Sequence, residues 1–241
     1  MSWFFLTLVA SAPLAQPTGE ELLSKVIAYH DPTGLFSSGR YRFEIRGEYA
    51  SGEVVHRVAE IDYRNGTLLD RYQRGGHSVV AEVPSTSSGE PTRDRCTLSV
   101  DGSATIEREV AEKLRLTCER ARMYRDYLSY LWGLPMKLRD PGTRIDPAVH
   151  SGELNGKPVL ELTARYEPDV GSDVWTFYID PKSSRLLAYA FVKPDGDGET
   201  ILLEGEVVLD DGTRLPKRRT WLVTKDRRHL GTDILLSATR L

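Results

Sequence analysis

Hydrophobic residues recur at helical spacing in two segments of this chain. In residues 19–30, Leu22, Leu23 and Val26 form an apolar face, and Thr18 precedes them as a side chain that can cap a helix. Residues 118–134, in the middle of the chain, repeat this spacing. The pattern therefore predicts a first helix near the amino terminus and a central helix.

The central helix differs from the first because its apolar face is rich in aromatic residues. The face includes Met123, Tyr127, Tyr130, Leu131, Trp132 and Leu134. Gly133 suits the left-handed residue that often ends a helix, and Pro135 cannot easily continue one, so the helix should end near Trp132. Tyr and Trp combine a large apolar body with a polar tip. Such a helix fits the open side of a curved sheet.

Most of the remaining chain alternates between apolar and polar residues, which is the period of a β-strand. From Arg40 onwards, Tyr41, Phe43 and Ile45 alternate with charged residues, so this strand should have one buried and one exposed face. Further strands are predicted at residues 54–63, 68–74, 78–83, 96–100, 159–166, 174–179, 186–192, 201–209, 218–224 and 234–239. Residues 106–116 fit a helix and a strand equally well. Because the turns are too short for parallel crossovers, the sheet should be antiparallel.

The strand at residues 174–179 is apolar on both faces. Trp175 and Phe177 share one face, whereas Val174 and Tyr178 share the other. The sheet should therefore be covered on both sides, or curl around something. Together with the helices, this pattern predicts a mainly β, α+β fold.

Composition disfavours nucleic acid as a partner. The 241 residues carry 32 basic and 35 acidic side chains, for a formal charge of -3. This balance provides no global field that would attract nucleic acid. The length is compatible with one domain.

The first 15 residues have the pattern of a secretory signal peptide. An apolar core from Trp3 to Ala12 is followed by small residues, and it is shorter than the ~20 apolar residues needed to span a bilayer. No Lys or Arg precedes the core, which departs from the usual pattern. Cleavage after Ala15 is favoured over cleavage after Ala12, because Pro13 would directly follow the second site. The interpretation is a signal peptide at 1–15 and an exported domain at 16–241 without a transmembrane segment; the alternative is a buried first strand or helix.

Two cysteines, Cys96 and Cys118, are the only ones in the chain. In an exported protein they could form a disulfide, and the loop it closes would add roughly 3 kcal/mol of stability. They could equally remain as two buried free thiols. Two thiols are too few for a metal cluster.

Familiar catalytic and cofactor motifs do not occur in the sequence. It has no Gly-x-Ser-x-Gly elbow, phosphate loop or dinucleotide fingerprint. The five histidines, His30, His56, His77, His150 and His229, lack metal-ligand spacing, and residues 195–199 lack the remaining ligands of a calcium loop. We therefore predict no cofactor, no metal and no catalytic residues. The alternatives are a hydrolase with a dispersed active site and a structural envelope protein without a ligand.

Two motifs resemble a family of uncharacterised secreted bacterial proteins, found mainly among Bacteroidetes and labelled as a domain of unknown function. They are Gly133-Leu134-Pro135-Met136-Lys137 and Tyr178-Ile179-Asp180-Pro181-Lys182, which are specific in combination. More distantly, the order of helix, strands, interrupting helix and strands is similar to the lipoprotein-carrier (LolA-like) fold. That fold is an open half-barrel of antiparallel strands with helices on its concave side. The resemblance implies a cavity for acyl chains and a location in the periplasm or envelope of a Gram-negative bacterium.

The expected ligand is therefore a lipid or other amphiphile, or the lipidated segment of a partner protein. The residues expected to line its cavity are Tyr127, Tyr130, Leu131, Trp132, Trp175 and Phe177. Arg122 and Arg125 are the candidates for contacting an anionic head group, because guanidinium groups pair well with carboxylate and phosphate. Alternatively, neighbouring acidic residues such as Glu119 and Asp126 neutralise these arginines in surface ion pairs of little energy.

Overall fold

A single antiparallel sheet of twelve strands dominates the computed structural model, which describes residues 16–85 and 95–241. The strands are β1 (Arg40–Tyr49), β2 (Val54–Asp62), β3 (Thr67–Arg74), β4 (His77–Val83), β5 (Thr97–Val100), β6 (Thr143–Leu154), β7 (Lys157–Tyr166), β8 (Val174–Ile179), β9 (Leu186–Val192), β10 (Gly198–Val208), β11 (Arg214–Val223) and β12 (His229–Arg240). The predicted signal peptide, residues 1–15, lies outside the described residues.

The strand order shows two meanders that meet in the middle of the sheet. It runs β5-β4-β3-β2-β1-β12-β11-β10-β9-β8-β7-β6, and all pairs are antiparallel. The first strand pairs with the last, with Tyr41 opposite Arg240. Neighbours in this order are also mostly neighbours in sequence, as the short turns predicted. The antiparallel arrangement is therefore confirmed.

Within the described residues, three α-helices accompany the sheet: α1 (Gly19–His30), α2 (Arg108–Leu114) and α3 (Cys118–Gly133). The amino terminus of α1 is closed by a capping box, in which Thr18 and Glu21 exchange side-chain and backbone hydrogen bonds. α2 occupies part of residues 106–116, where the sequence pattern was ambiguous. α1 and α3 are the predicted first and central helices.

The curvature of the sheet follows from what α3 touches. Trp132 belongs to a buried cluster with Phe43 of β1 and Leu68 of β3. The preceding residue, Leu131, belongs to a second cluster with Phe177 of β8, which lies in the other half of the strand order. One helix can contact both halves only if the sheet bends around it. The prediction of an open, curved sheet with the two helices on its concave side is confirmed.

β6 was missed by the sequence pattern, which predicted no strand between the central helix and residue 159. This strand contains Pro147, and its pairing with β7 shifts register between Ile145 and Val149. It lies at the edge of the sheet, and Val149 is its one fully buried residue. An edge strand with a proline and little burial has no clear apolar alternation. The ends of β11 and β12 also extend beyond the predicted limits.

His30 connects the end of α1 to two strands of the sheet. Its Nδ1 lies 2.8 Å from the carbonyl oxygen of Arg214 in β11, and the backbone N–H of Leu186 in β9 donates to Nε2 at 3.1 Å. The carbonyl requires a proton on Nδ1, and the amide requires a bare Nε2, so the ring is neutral. Burial lowers the pKa of His30, which agrees with this assignment.

His30 should make the protein less stable in acid. Because its pKa is lower in the folded than in the unfolded chain, the unfolded chain takes up a proton first as the pH falls below about 6.5. The free energy of unfolding should therefore decrease from that pH down to the folded pKa. Denaturant titrations across this range would measure the slope. The His30→Gln variant keeps a donor and an acceptor without titrating, and its slope should be shallower; equal slopes would contradict the prediction.

Candidate functional site

A cavity of about 770 Å³ lies between α3 and the concave face of the sheet. The strands that contribute to its wall are β1, β2 and β8 to β12. Eight aromatic side chains line it: Tyr49, Tyr124, Tyr127, Tyr130, Trp132, Trp175, Phe191 and Trp221. Its volume lies within the range of ~300–1,000 Å³ that is typical of small-molecule sites. The described part of the chain thus contains a ligand-sized, largely apolar space.

α3, the helix above the cavity, is fixed at both ends. The Thr117 side chain caps it by accepting from the backbone N–H of Arg120 at 3.1 Å. Its first residue, Cys118, forms a disulfide bond with Cys96, next to β5. At the other end, a Cβ at Gly133 would clash with Lys137. Gly133 is the last residue of the helix and does not adopt the left-handed conformation that the sequence suggested; the next residue, Leu134, is extended.

Aromatic pairs hold α3 against the sheet on three sides of the cavity. The ring of Trp132 stacks on Phe43 with the centroids 5.7 Å apart, and Tyr127 stacks on Trp221 at 5.8 Å. Tyr130 meets Trp175 edge to face at 5.1 Å. These contacts span from helix to sheet at separate points. The space between them is the cavity.

Five of the six residues predicted from the sequence to line a cavity do so in this structure. They are Tyr127, Tyr130, Leu131, Trp132 and Trp175. Phe177 lies outside the lining, in the buried cluster that includes Leu22 and Val26 of α1. Phe177 is therefore buried among side chains of α1, α3 and the sheet instead of facing the cavity. Whether the five lining residues contact a ligand stays a prediction.

Arg122 and Arg125, the candidates for an anionic head group, do not line the cavity. Arg125 is buried, and its Nε donates to the carboxylate of Asp126 at 2.8 Å. This pairing with a neighbouring acid is the alternative that the sequence left open. The structure therefore offers no shared position where both arginines could meet a ligand in the cavity.

Three basic residues line the cavity, namely Arg57, Lys193 and Arg219 of β11, and the sequence pattern singled out none of them. The Arg219 side chain is 1% exposed, its Cζ lies 3.5 Å from the ring centroid of Trp132, and its Nη2 donates to the carbonyl oxygen of Leu131 at 3.2 Å. Burial lowers the pKa of Arg219, yet a guanidinium group keeps its charge in proteins. The sequence did contain a signal that could have identified Arg219. In a strand, residues two apart share a face, so Arg219 lies on the same face as Trp221.

Asp233 lies directly opposite Arg219 in the pairing of β11 with β12. Its carboxylate accepts from the indole Nε1–H of Trp221 at 2.9 Å, and burial raises its pKa. Within the described residues, no carboxylate comes within salt-bridge distance of Arg219. The two charges therefore line the same cavity without forming a direct ion pair.

Arg57, a second arginine of the lining, is by contrast neutralised. Its Nε lies 3.2 Å from the carboxylate of Asp70, which is also buried. The guanidinium group lies between the rings of Tyr72 and Tyr124, with Cζ 5.1 and 4.8 Å from the two centroids. Arg57 thus has both a counter-ion and stacking partners from the protein itself.

Residues 16–85 and 95–241 also bear on metal binding and on membrane insertion. Three or more His, Cys, Asp or Glu side chains do not come together there in an arrangement that could hold a metal ion. None of the helices in these residues combines the length and the hydropathy required to cross a membrane.

Solved structures with a similar fold come from several bacteria. A LolA superfamily protein from Nitrosomonas europaea aligns over 92% of this chain and 93% of its own, with a TM-score of 0.55 and 9% identity. A putative outer membrane lipoprotein-sorting protein domain from Vibrio parahaemolyticus aligns over the same shares, with a TM-score of 0.52 and 11% identity. A DUF1329 family protein from Desulfovibrio piger covers 93% and 94%, with a TM-score of 0.50 and 7% identity. At such low identity these matches show the fold alone.

The family assignment comes from the sequence. No curated protein matches the chain. Residues 92–238, more than half of the chain, match DUF6503, which is described as a family of unknown function. The match includes α3 and both of the motifs on which the predicted resemblance depended, and it leaves out α1 and β1 to β4. The predicted resemblance to an uncharacterised family with a LolA-like fold is confirmed, and the chain belongs to the DUF6503 family.

Proposed function

We propose that this protein is exported and binds a hydrophobic or lipid-like ligand in the cavity beneath α3, without catalysing a reaction. The observation that carries the proposal is the cavity itself, with its volume of about 770 Å³ and its eight aromatic lining residues. A space of this size and character suits an acyl chain, because apolar surface gains free energy when it leaves water.

The fold supports the same ligand class. Two solved structures that share it are named as a LolA superfamily protein and a putative lipoprotein-sorting protein domain. We extend lipid binding to this chain because its own cavity has the required chemistry. The lipidated segment of a partner protein would present the same acyl chains. Residues 1–15 would direct the protein to the periplasm or envelope of a Gram-negative bacterium.

Five of the lining residues form the core of the proposed contact surface. Tyr127, Tyr130, Leu131, Trp132 and Trp175 present aromatic and aliphatic surface from α3 and β8. Each buried methylene group contributes ~0.8 kcal/mol, which corresponds to about a fourfold change in dissociation constant. Affinity should therefore increase with acyl chain length until the cavity is filled.

Extraction of the purified protein tests the proposal. We expect lipid mass spectrometry to find a co-purifying amphiphile, and fatty acids of increasing length to displace a fluorescent fatty-acid probe with increasing affinity. The length series is the internal control. For binding inside the cavity, affinity should stop increasing once the acyl chain fills the cavity, whereas binding to the exterior has no such limit. A protein that yields no amphiphile and binds no probe would count against lipid binding.

A further inference from the structure

Arg57 lies between the ligand cavity and a second, smaller space beside it. The second space has a volume of about 30 Å³ and is lined mainly by β2 to β5, the segment before α3 and the first turns of that helix. Four residues line both spaces: Tyr49, Val55, Arg57 and Tyr124. Asp70, the counter-ion of Arg57, lines the second space and not the cavity. The ion pair therefore forms a wall between the two spaces.

The Arg57 side chain is held in this wall from several directions. The carboxylate of Asp70 lies 3.2 Å from its Nε, and the two side chains are 12% and 3% exposed. Burial raises the pKa of Asp70 to about 6, so the carboxyl group is ionised at neutral pH. The rings of Tyr72 and Tyr124 cover the guanidinium group. A buried charge with one counter-ion and two aromatic neighbours cannot move aside without losing all three.

Opposite charges lie at the far side of the cavity, on β8 and β9. Val174 pairs with Val192, so Asp173 and Lys193, one position further along each strand, lie side by side. Both residues line the cavity, and Lys193 is exposed. A polar head group can stay hydrated at this side. The tail would then lie on the aromatic and aliphatic surface that leads across the sheet towards Arg57.

We propose that Arg57 sets the longest tail that the cavity accepts, because its ion pair with Asp70 closes the cavity on the side of β2 and β3. The inference rests on the proposed function and adds a limit on the length of the ligand. A tail that exceeds the limit would have to separate the buried ion pair. One more methylene group gains only about fourfold in affinity, which is much less than that separation costs.

A series of uncharged n-alcohols tests the inference on the purified protein, because their head group does not respond to the removal of a charge. In the unchanged protein, affinity for the alcohols should increase about fourfold with each methylene group and then stop increasing at a limiting length. Displacement of a fluorescent fatty-acid probe would measure each affinity.

Two double variants compare a filled wall with an opened one. Arg57→Met, Asp70→Leu replaces the ion pair with apolar side chains, which buried sites tolerate well, and should keep the limiting length to within about one methylene group. Arg57→Ala, Asp70→Leu differs from it only at the first position and joins the cavity to the second space. Its limiting length should be about two methylene groups greater than in the Met variant, and the longest alcohols should bind to it roughly tenfold more tightly.

The outcomes separate this inference from the proposed function. If no alcohol binds to the unchanged protein, both fail. If the alcohols bind and the two double variants share one limiting length, the role of Arg57 is wrong, whereas lipid binding survives. Should circular dichroism show that the Ala variant does not fold, Arg57→Val, Asp70→Leu gives a second test, because Val favours strands and still opens part of the wall. Its limiting length should exceed that of the Met variant by about one methylene group, and equal lengths would contradict the inference.

Discussion

Replacing Trp132 with Ala should lower the free energy of unfolding by about 3–5 kcal/mol, the range for large aromatic residues removed from a core. Trp132 is buried, stacks on Phe43 and covers the guanidinium group of Arg219. The substitution would therefore leave a void next to β1 and remove the aromatic face from a buried cation. Chemical denaturation followed by circular dichroism would measure the loss.

Met123→Ala is the control for this prediction. Met123 belongs to the same helix, but it is 51% exposed, so its truncation should change the unfolding free energy by no more than about 0.5 kcal/mol. A Trp132→Ala protein that is as stable as Met123→Ala would show that α3 does not pack against β1 in the way described.

Removing the disulfide should cost about 3 kcal/mol of stability. The bond joins Cys96 to Cys118 across 22 positions in sequence, so it limits the conformations of the unfolded chain, and it also fixes the first residue of α3 beside β5. The double variant Cys96→Ser, Cys118→Ser should therefore unfold at lower denaturant concentration. Probe affinity should fall as well, because the helix above the cavity loses an anchor.

Reduction of the unmodified protein provides the matched experiment. A reducing agent should shift its unfolding midpoint to that of the double variant, and it should leave the double variant unchanged. Two reactive thiols in the protein before reduction would contradict the bond, and a midpoint that does not respond to reduction would contradict its contribution to stability.

The elements predicted most reliably from the sequence are those in which buried and exposed residues alternate regularly. Tyr41, Phe43 and Ile45 alternate with charged residues, and all three are buried in β1. β6 gave no such signal, because an edge strand has little to bury. The aromatic face of α3 was likewise readable from spacing, and five of the residues chosen from it and from β8 line the cavity.

The charged part of the site could not be predicted, because it depends on contacts between distant elements. Arg122 and Arg125 were chosen for their position among tyrosines on the helix, yet the basic lining residues are Arg57, Lys193 and Arg219, all from the strand region. The environment of Arg219 arises when α3 brings Trp132 over the sheet. Phe177 shares a strand face with Trp175, but it is buried in a cluster that includes residues of α1, far away in sequence. The local periodicity of the sequence predicts neither the environment of Arg219 nor the burial of Phe177.

Quenching of tryptophan fluorescence by a brominated fatty acid tests the ligand cavity most directly. Of the four tryptophans, Trp132, Trp175 and Trp221 line the cavity, and the fourth, Trp3, lies in the proposed signal peptide, so the test uses residues 16–241. Gly47 also lines the cavity, and a Cβ built there lies no closer than 3.5 Å to a neighbour, so Gly47→Ala should be tolerated as the control, whereas the larger side chain of Gly47→Leu would occupy cavity space.

We expect saturable quenching in the protein of residues 16–241, similar quenching with Gly47→Ala, and much weaker quenching with Gly47→Leu. Absence of quenching, or quenching that Gly47→Leu leaves unchanged, would contradict a ligand site between α3 and the sheet.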